Sequence, residues 1–345
     1  GLSPRSLSRS YINTDYTFVD DTDIVDIWRA FIVGRELFAE AWDLSRLIDT
    51  RERRRIVGEV EISPLDLYLG RTWRDTIALA QSNFDTHGYT VHSLFALRPP
   101  DRSSLTVPVP LRALLPRGVE HLLVIGLGIS AHRDALPVLR MQPDIQNQGY
   151  AAGVAAAWCA RDGRSPRALD VRALQQHLVQ QGIVPETALR DDDTPPVPDE
   201  RLDWAVRVLP EAWTGLEIVL SETNRALPRL RAAWAAASDE EARLAYAMTL
   251  GMLGDPTGAA TLASAVRART WADGWEFRAM GQFGPSLAPL DAMIIALGRT
   301  RSPEALDPLL EKARTLDATV AFSHHRAIAL ALESLGKRTL IVNGD

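Results

Sequence analysis

The stretch from Val107 to Gly182 constrains the fold of this chain of 345 residues more than any other. Its apolar segment Leu122–Ile125 predicts a strand that ends at Gly126. A polar loop follows, and then a predicted helix that begins at Asn147-Gln148-Gly149 and continues in alanine and glycine. Such small side chains let a helix pack closely on a sheet and bring its N-terminus near a ligand, where free N–H groups and the helix dipole favour electron-rich oxygen. An ordinary buried, alanine-rich helix explains this segment equally well.

The loop after the predicted strand has the form of a phosphate-binding motif. Gly126, Gly128 and Ala131 spell G-x-G-x-x-A. A dinucleotide site also needs a helix and a second strand that ends near an acidic residue about 20 residues further on. No β-branched run lies at that distance, and Pro137 and Pro143 shorten the intervening helix. We therefore do not expect pyrophosphate binding here, and no other strand–glycine motif occurs in the sequence.

An ordered series of short motifs runs through the same region. The motifs are RRIVGE (54–59), NFDTH (83–87), PLRALLPRGVEHLLVIG (110–126), ISAH (129–132), RMQP (140–143), GYAAGVAAA (149–157) and SPRALDVRALQ (165–175). Together they closely resemble the C-terminal part of the FAD-dependent oxidoreductase family with the glutathione-reductase-type flavin fold. The resemblance covers about residues 50–185, and the order of the motifs is more specific than any one of them.

This resemblance implies FAD as cofactor, a small-molecule substrate, and hydride transfer between the two. In such an enzyme the backbone N–H groups of Gly149 and Tyr150 would stabilise the reduced flavin, which is negative at its N1/C2=O edge. His87 or Arg140 would hold the substrate. The cofactor-binding residues implied in this way are Gly126, Ser130, Asn147, Gln148, Gly149 and Tyr150.

Charge and residue spacing argue against several other classes of protein. The net charge of −6 disfavours non-specific nucleic-acid binding. The seven histidines show no metal-binding spacing, so we expect no metal site, and no G-x-S-x-G elbow supports a hydrolase. Cys159 is the only cysteine and is expected to be inert. No apolar run reaches the roughly 18 residues of a membrane span, so a soluble protein is expected, although its compartment cannot be read.

The remaining sequence suggests three regions. Residues 1–105 would form a partial substrate domain, with a helix over 21–47, strands at 56–62, 90–97 and 105–109, and a short helix opened by Ser63-Pro64. These strands are too few for a complete sheet. Residues 106–190 would form the C-terminal FAD-binding segment, in which Asp170 caps a helix that ends at Gly182. The acidic, proline-rich run 191–198 reads as a linker.

Residues 200–340 contain a repeated pattern: Leu-Gly pairs begin at 253, 297 and 335, about 40 residues apart. Helices are expected at 242–253, 258–267, 292–297, 303–316 and 326–335, with glycine ending the first helix of each pair. The pattern resembles a short array of HEAT-like repeats, which would offer a surface for a protein partner. A generic helical bundle is the alternative.

The sequence thus predicts an α/β part, consisting of the C-terminal part of an FAD-binding fold with part of its substrate domain, followed by an all-α, HEAT-like tail. One function is that of the C-terminal portion of an FAD-dependent oxidoreductase. Its missing strand–glycine–helix motif would then lie upstream of Gly1 or on a partner chain. The alternative is a non-catalytic helical-repeat module that binds protein and uses the α/β part as a scaffold.

Overall fold

The computed structural model describes residues 23–37, 54–84, 90–102, 104–272, 287–317 and 319–336. Helix α1 spans Ile24–Leu37, inside the helix predicted over 21–47, whose other residues lie outside the described ranges. Helix α2 is Pro64–Leu69 and begins as predicted. Ser63 and Asp66 form a capping box: Asp66 Oδ2 accepts the Ser63 N–H at 2.7 Å, and the Ser63 hydroxyl accepts the Asp66 N–H at 3.4 Å.

Strand β1, Thr76–Ser82, pairs antiparallel with strand β2, Leu105–Pro110, with Ala78 opposite Val109 and Ala80 opposite Val107. The strand predicted at 105–109 is therefore confirmed, while β1 was not predicted. Side chains from later in the sequence form hydrogen bonds with backbone groups on the outer edge of β1. Gln175 Nε2 donates to the Thr76 carbonyl at 2.9 Å, and Asp144 Oδ2 accepts the Gln81 N–H at 3.0 Å.

Three strand predictions are wrong. Residues 56–62 make only isolated bridges, from Gly58 to Pro116 and from Ile62 to Ala131. The segment predicted as a strand at 90–97 forms helix α3, Ser93–Leu97, because the His92 ring caps it by accepting the Leu94 N–H. Residues 122–125 pair with no strand in the described part of the chain. Apolar composition alone cannot form a strand where no neighbour completes its ladder.

Helix α4 is Leu136–Leu139, and the alanine-rich helix α5 is Gln142–Asp162. Helix α5 therefore begins five residues before the predicted start at Asn147. The error lay in treating Pro143 only as a helix breaker, because proline in the first turn fits a helix start. Gly163, with φ +62°, ends the helix in a left-handed conformation.

Helix α6, Val171–Gln180, is capped by Asp170 and is followed by Gly182, as predicted. Residues 191–198 are irregular, as expected of a linker, but they are bonded to the first part of the chain. The Arg112 guanidinium pairs with Asp75 at 2.7 Å and with Asp193 at 2.5 Å. The Thr194 hydroxyl also accepts the Thr72 N–H at 2.9 Å. This segment is therefore fixed along much of its length.

The tail contains two layers of helices. In chain order its helices are α7 Asp199–Val208, α8 Leu216–Ser221, α9 Thr223–Ala236, α10 Glu240–Met252, α11 Ala259–Ala268, α12 Pro289–Arg299, α13 Leu306–Ala313 and α14 Phe322–Ser334. Helices α10, α12 and α14 pack side by side, and α11 contacts α13 beside them. Helices α10 and α12 also contact α3, so the tail lies against the α/β part.

Glycines allow the tail helices to approach closely. Gly254 and Gly336 follow α10 and α14 with φ of +80° and +74°, in agreement with the prediction that glycine ends these helices. Gly298 does not end its helix, contrary to the prediction, because α12 continues to Arg299. A Cβ at Gly298 would overlap the backbone of Ala331 in α14. Gly298 is therefore explained by helix contact and not by termination.

Candidate functional site

The loop 126–132 lies beside residues 56–62 and is bonded to them along its length. Gly58 donates its N–H to the Ser130 hydroxyl at 2.9 Å, and Ile62 donates to the Ser130 carbonyl at 3.0 Å. His132 in turn donates its N–H to the Ile62 carbonyl at 2.8 Å. A Cβ at Gly58 would lie 2.5 Å from the Ser130 Cβ, so only glycine fits there. Ser130, a predicted flavin contact, is buried and fastens these two segments together.

Gln148 fastens the other side of the loop. Its Oε1 accepts the Gly126 N–H at 3.3 Å, and its Nε2 donates to the Leu139 carbonyl at 3.4 Å. The side chain is completely buried. Gly126 has φ +67°, a conformation that favours glycine. The structure thus brings two predicted cofactor residues, Gly126 and Gln148, into direct contact, and the Gln148 amide is directed at the backbone.

Gly149 and Tyr150 lie inside α5 and not at its N-terminus, so their N–H groups fall where a helix bonds to its own carbonyls. The actual first turn contains Pro143, which has no N–H, and Asp144, whose carboxylate binds the Gln81 N–H. Burial raises the pKa of Asp144, while this hydrogen bond opposes the rise. The prediction that the Gly149 and Tyr150 N–H groups are free at a helix start is therefore wrong.

The outer side of this region is apolar and exposed. Large apolar side chains are exposed on segments that contact one another: Val57, Val119, Leu122, Ile125 and Tyr150. Arg117 links two of these segments through its N–H bond to the Val57 carbonyl, 2.9 Å long. A Cβ at Gly149 would lie 3.4 Å from Ile125 Cδ1, which places α5 against the loop. We call Val57, Val119, Leu122, Ile125 and Tyr150, with Gly149 and Gly153 of α5, the apolar face.

A pair of histidines lies near the end of the loop. The rings of His92 and His132 are 4.9 Å apart and nearly perpendicular. Between them, Asp134 Oδ2 accepts the N–H groups of Val91 and His92, each at 2.7 Å, and its Oδ1 pairs with Arg133 at 2.9 Å. His132 belongs to the ISAH motif, but nothing in the sequence pattern connects it to His92, which lies forty positions earlier. The pair is visible only in the fold.

Backbone bonds fix the protonation pattern of this pair. His92 Nδ1 accepts the Leu94 N–H at 3.1 Å, and His132 Nδ1 accepts the Asp134 N–H at 3.0 Å, which leaves the proton of each neutral ring on Nε2. Burial, His132 and Arg299 outweigh Asp134 and lower the pKa of His92 to about 4. Burial likewise lowers the pKa of His132. Both rings are therefore neutral at pH 7 and can donate a hydrogen bond from Nε2.

The other predicted site residues are distributed around this centre. Arg140 is buried between α4 and α5, directly after the Leu139 carbonyl that Gln148 binds. Asn147 is half-buried on α5, and the Tyr150 hydroxyl lies 2.9 Å from His177 Nε2. His87 lies outside the described residues. In the described ranges, no group of three or more His, Cys, Asp or Glu side chains could hold a metal. No helix in those ranges is both long and apolar enough to cross a membrane.

Comparison with known proteins supports part of the sequence interpretation. Residues 21–178, just under half of the chain, match the model of a family described as FAD dependent oxidoreductase. The comparisons with curated proteins and with solved structures gave no match. The family match confirms FAD as the cofactor and oxidoreductase as the general class of the matched region. That region includes the loop, the apolar face, both histidines and Arg140.

The chemistry of the apolar face fits one side of a flavin. A flat, largely apolar ring system needs a surface without projecting side chains, and a Cβ at Gly153 would meet nothing within 4 Å. Ile125, which lies beside Gly149, and Leu122 supply apolar surface, being 39% and 45% exposed. The histidine pair supplies polar donors at the far end of the same loop. These residues offer an apolar surface and hydrogen-bond donors, and the groups that bind the pyrophosphate would have to come from other residues.

Proposed function

We propose that this chain supplies the C-terminal portion of an FAD-dependent oxidoreductase of the glutathione-reductase type, which transfers hydride between a small-molecule substrate and flavin. The apolar face is the observation that carries the proposal. Large apolar side chains exposed on neighbouring segments of a globular protein mark a surface that binds a ligand or another polypeptide. Here these side chains lie within the region that matches the FAD-dependent family.

Bound FAD would supply the hydride chemistry, and the protein would supply binding, orientation and electrostatics. Gly149 and Gly153 keep the α5 surface low enough for a ring to lie against it. Gly126 and Ser130 shape the loop beside that surface, while Gln148 holds the loop to α5. Asn147 and Tyr150 are the polar side chains on this helix that we assign to the cofactor.

The histidine pair and Arg140 would serve the substrate. His92 and His132 are neutral at pH 7, so each can donate a hydrogen bond from its Nε2–H to a substrate oxygen or nitrogen. The Arg140 guanidinium carries a fixed positive charge, which suits an anionic or carbonyl group. We keep His87, which lies outside the described residues, as a further substrate-binding candidate.

We further propose that a strand–glycine–helix element, from upstream sequence or a partner chain, lies beside the apolar face and binds the pyrophosphate. Leu122–Ile125 is the segment beside which its strand would lie. The tail would be a short HEAT-like array that binds a protein partner. In support of an array, α10, α12 and α14 form one layer, and Gly251 lets α10 approach α12 because a Cβ there would lie 2.7 Å from the Ala296 carbonyl oxygen.

The test is to produce the chain together with the natural sequence or partner that carries the strand–glycine–helix element, and to measure bound flavin by absorbance. Gly149→Val should reduce the flavin content or lower the reduction potential, because the new side chain fills space beside Ile125. The tail should remain folded. Ala160→Val, exposed further along α5, is the matched control and should retain flavin.

Two outcomes would count against the proposal. A complete protein without flavin, prepared with FAD present, would remove the oxidoreductase function and favour the non-catalytic, protein-binding alternative. A yellow protein in which Gly149→Val changes neither flavin content nor potential would keep the activity but remove α5 from the cofactor site.

A further inference from the structure

The helical tail contacts the backbone on both sides of His92. Arg299 lies at the end of α12 and extends toward the connection before α3. Its Nη1 donates to the Ser93 hydroxyl at 2.8 Å, and its Nη2 donates to the Val91 carbonyl at 3.4 Å. Nη1 also lies 3.5 Å from Met252 Sδ at the end of α10. Arg299 therefore joins two helices of the tail to the segment 91–93.

The same segment is also held by the candidate site. Asp134 accepts the N–H groups of Val91 and His92, and it lies two residues after His132, whose ring accepts its N–H. The Asp134 carboxylate of the site thus binds two N–H groups of this segment, while the Arg299 guanidinium of the tail binds one carbonyl and one hydroxyl. Bonds to charged groups are about twice as strong as neutral ones. This double attachment leaves the His92 backbone little freedom.

We propose that Arg299 is a positioning residue for His92, so that docking of the helical tail sets the arrangement of the His92–His132 pair. The tail is then part of the working site and not only a surface for partners. The catalytic meaning of the pair rests on the proposed function given above. The attachment itself does not, because it involves residues of this chain alone.

The charges around His92 come from the candidate site and from the tail. The site contributes Asp134, which raises the pKa of His92, and His132, which lowers it together with burial. The tail contributes Arg299, which also lowers the pKa of His92. Arg326 of α14 lies close enough to lower the pKa of Arg299, after burial. A guanidinium nevertheless remains charged at neutral pH, so Arg299 keeps its positive charge.

The experiment is a histidine-ring NMR titration of the full chain, with the His92 signal assigned by its loss in His92→Gln. Arg299→Met should raise the pKa of His92, because the variant removes a positive charge that lowers it. It should also speed exchange of the His92 amide. Arg301→Met, exposed two residues away, is the control and should change neither quantity. Thermal unfolding establishes that each variant is folded.

Arg299→Lys separates the effect of the hydrogen bonds from the effect of the positive charge. It also provides the test if Arg299→Met does not fold. A lysine keeps the positive charge but cannot bind Ser93 and Val91 as a fork. We expect a His92 pKa close to that of the parent protein but faster exchange of the His92 amide. Folded Met and Lys variants with unchanged pKa and exchange would overturn the proposal. A failure to bind flavin would leave these measurements unaffected, so the two proposals fail separately.

Discussion

Replacing Gln148 with leucine tests whether the loop is held by a buried side-chain amide. The change preserves size but removes the acceptor for the Gly126 N–H and the donor for the Leu139 carbonyl, both of which are buried. An unsatisfied buried polar group costs about 1–3 kcal/mol. The two bonds are long, at 3.3 and 3.4 Å, so each loss should fall at the lower end of that range.

The larger apolar surface of leucine offsets part of that cost. We therefore expect Gln148→Leu to lower the free energy of unfolding by roughly 2 kcal/mol. Urea denaturation monitored by tryptophan fluorescence measures this quantity. Amide exchange of Gly126, which loses its acceptor, should accelerate by at least about tenfold, since each 1.4 kcal/mol of local opening is a factor of ten.

Gln146→Leu is the matched control, because this residue lies on the same helix with its side chain exposed. Its stability should stay within about 0.5 kcal/mol of the parent protein. Equal stability of the Gln146 and Gln148 variants would refute the reasoning. It would show that the Gln148 amide is free to serve another partner. Loss of flavin by Gln148→Leu without loss of stability would assign that amide to the cofactor.

Three further predictions can be measured on the same protein. Gly298→Val should destabilise the tail by about 1–3 kcal/mol, because the valine side chain would overlap the Ala331 backbone. An unchanged midpoint of thermal unfolding would exclude this contact. The free energy of unfolding should fall as the pH drops from about 6.5 toward 4, because the pKa of His92 is 6.5 in the unfolded chain and about 4 in the folded one. His92→Gln should flatten this pH dependence, and an equally steep profile in the variant would contradict the prediction. Residues 1–345 alone should not bind FAD tightly, because their sequence contains no complete strand–glycine–helix motif for the pyrophosphate. Micromolar binding measured by quenching of FAD fluorescence would disprove this.

The sequence predicted features that depend on local chemistry. Ser63 and Asp170 cap helices where the sequence placed them, since a cap needs only its own next few residues. The sequence does not reveal the start of α5, because a proline such as Pro143 either ends a helix or opens one, and the residue type alone does not distinguish the two. The strand predicted at 122–125 failed for a different reason, since pairing depends on a second segment.

Contacts between distant segments could not be read from the sequence. The cofactor class followed from the order of the motifs, but the partners of Ser130 and Gln148 required the fold. His92 lies next to His132 only because residues 90–92 and the loop meet at Asp134. Arg299 was one of many arginines in the tail, and no local signal connects it to Ser93, more than 200 residues earlier.

The two-stranded sheet is blocked against growth at both sides. On the β1 side, Gln175 and Asp144 take the place that a neighbouring strand would fill. On the β2 side, Pro108 and Pro110 have no N–H to offer an incoming strand. Unprotected edges are where proteins recruit foreign strands and begin to aggregate. Both edges of this sheet are therefore closed to foreign strands, and the surface left for association is made of exposed side chains such as Leu122 and Ile125 rather than of backbone.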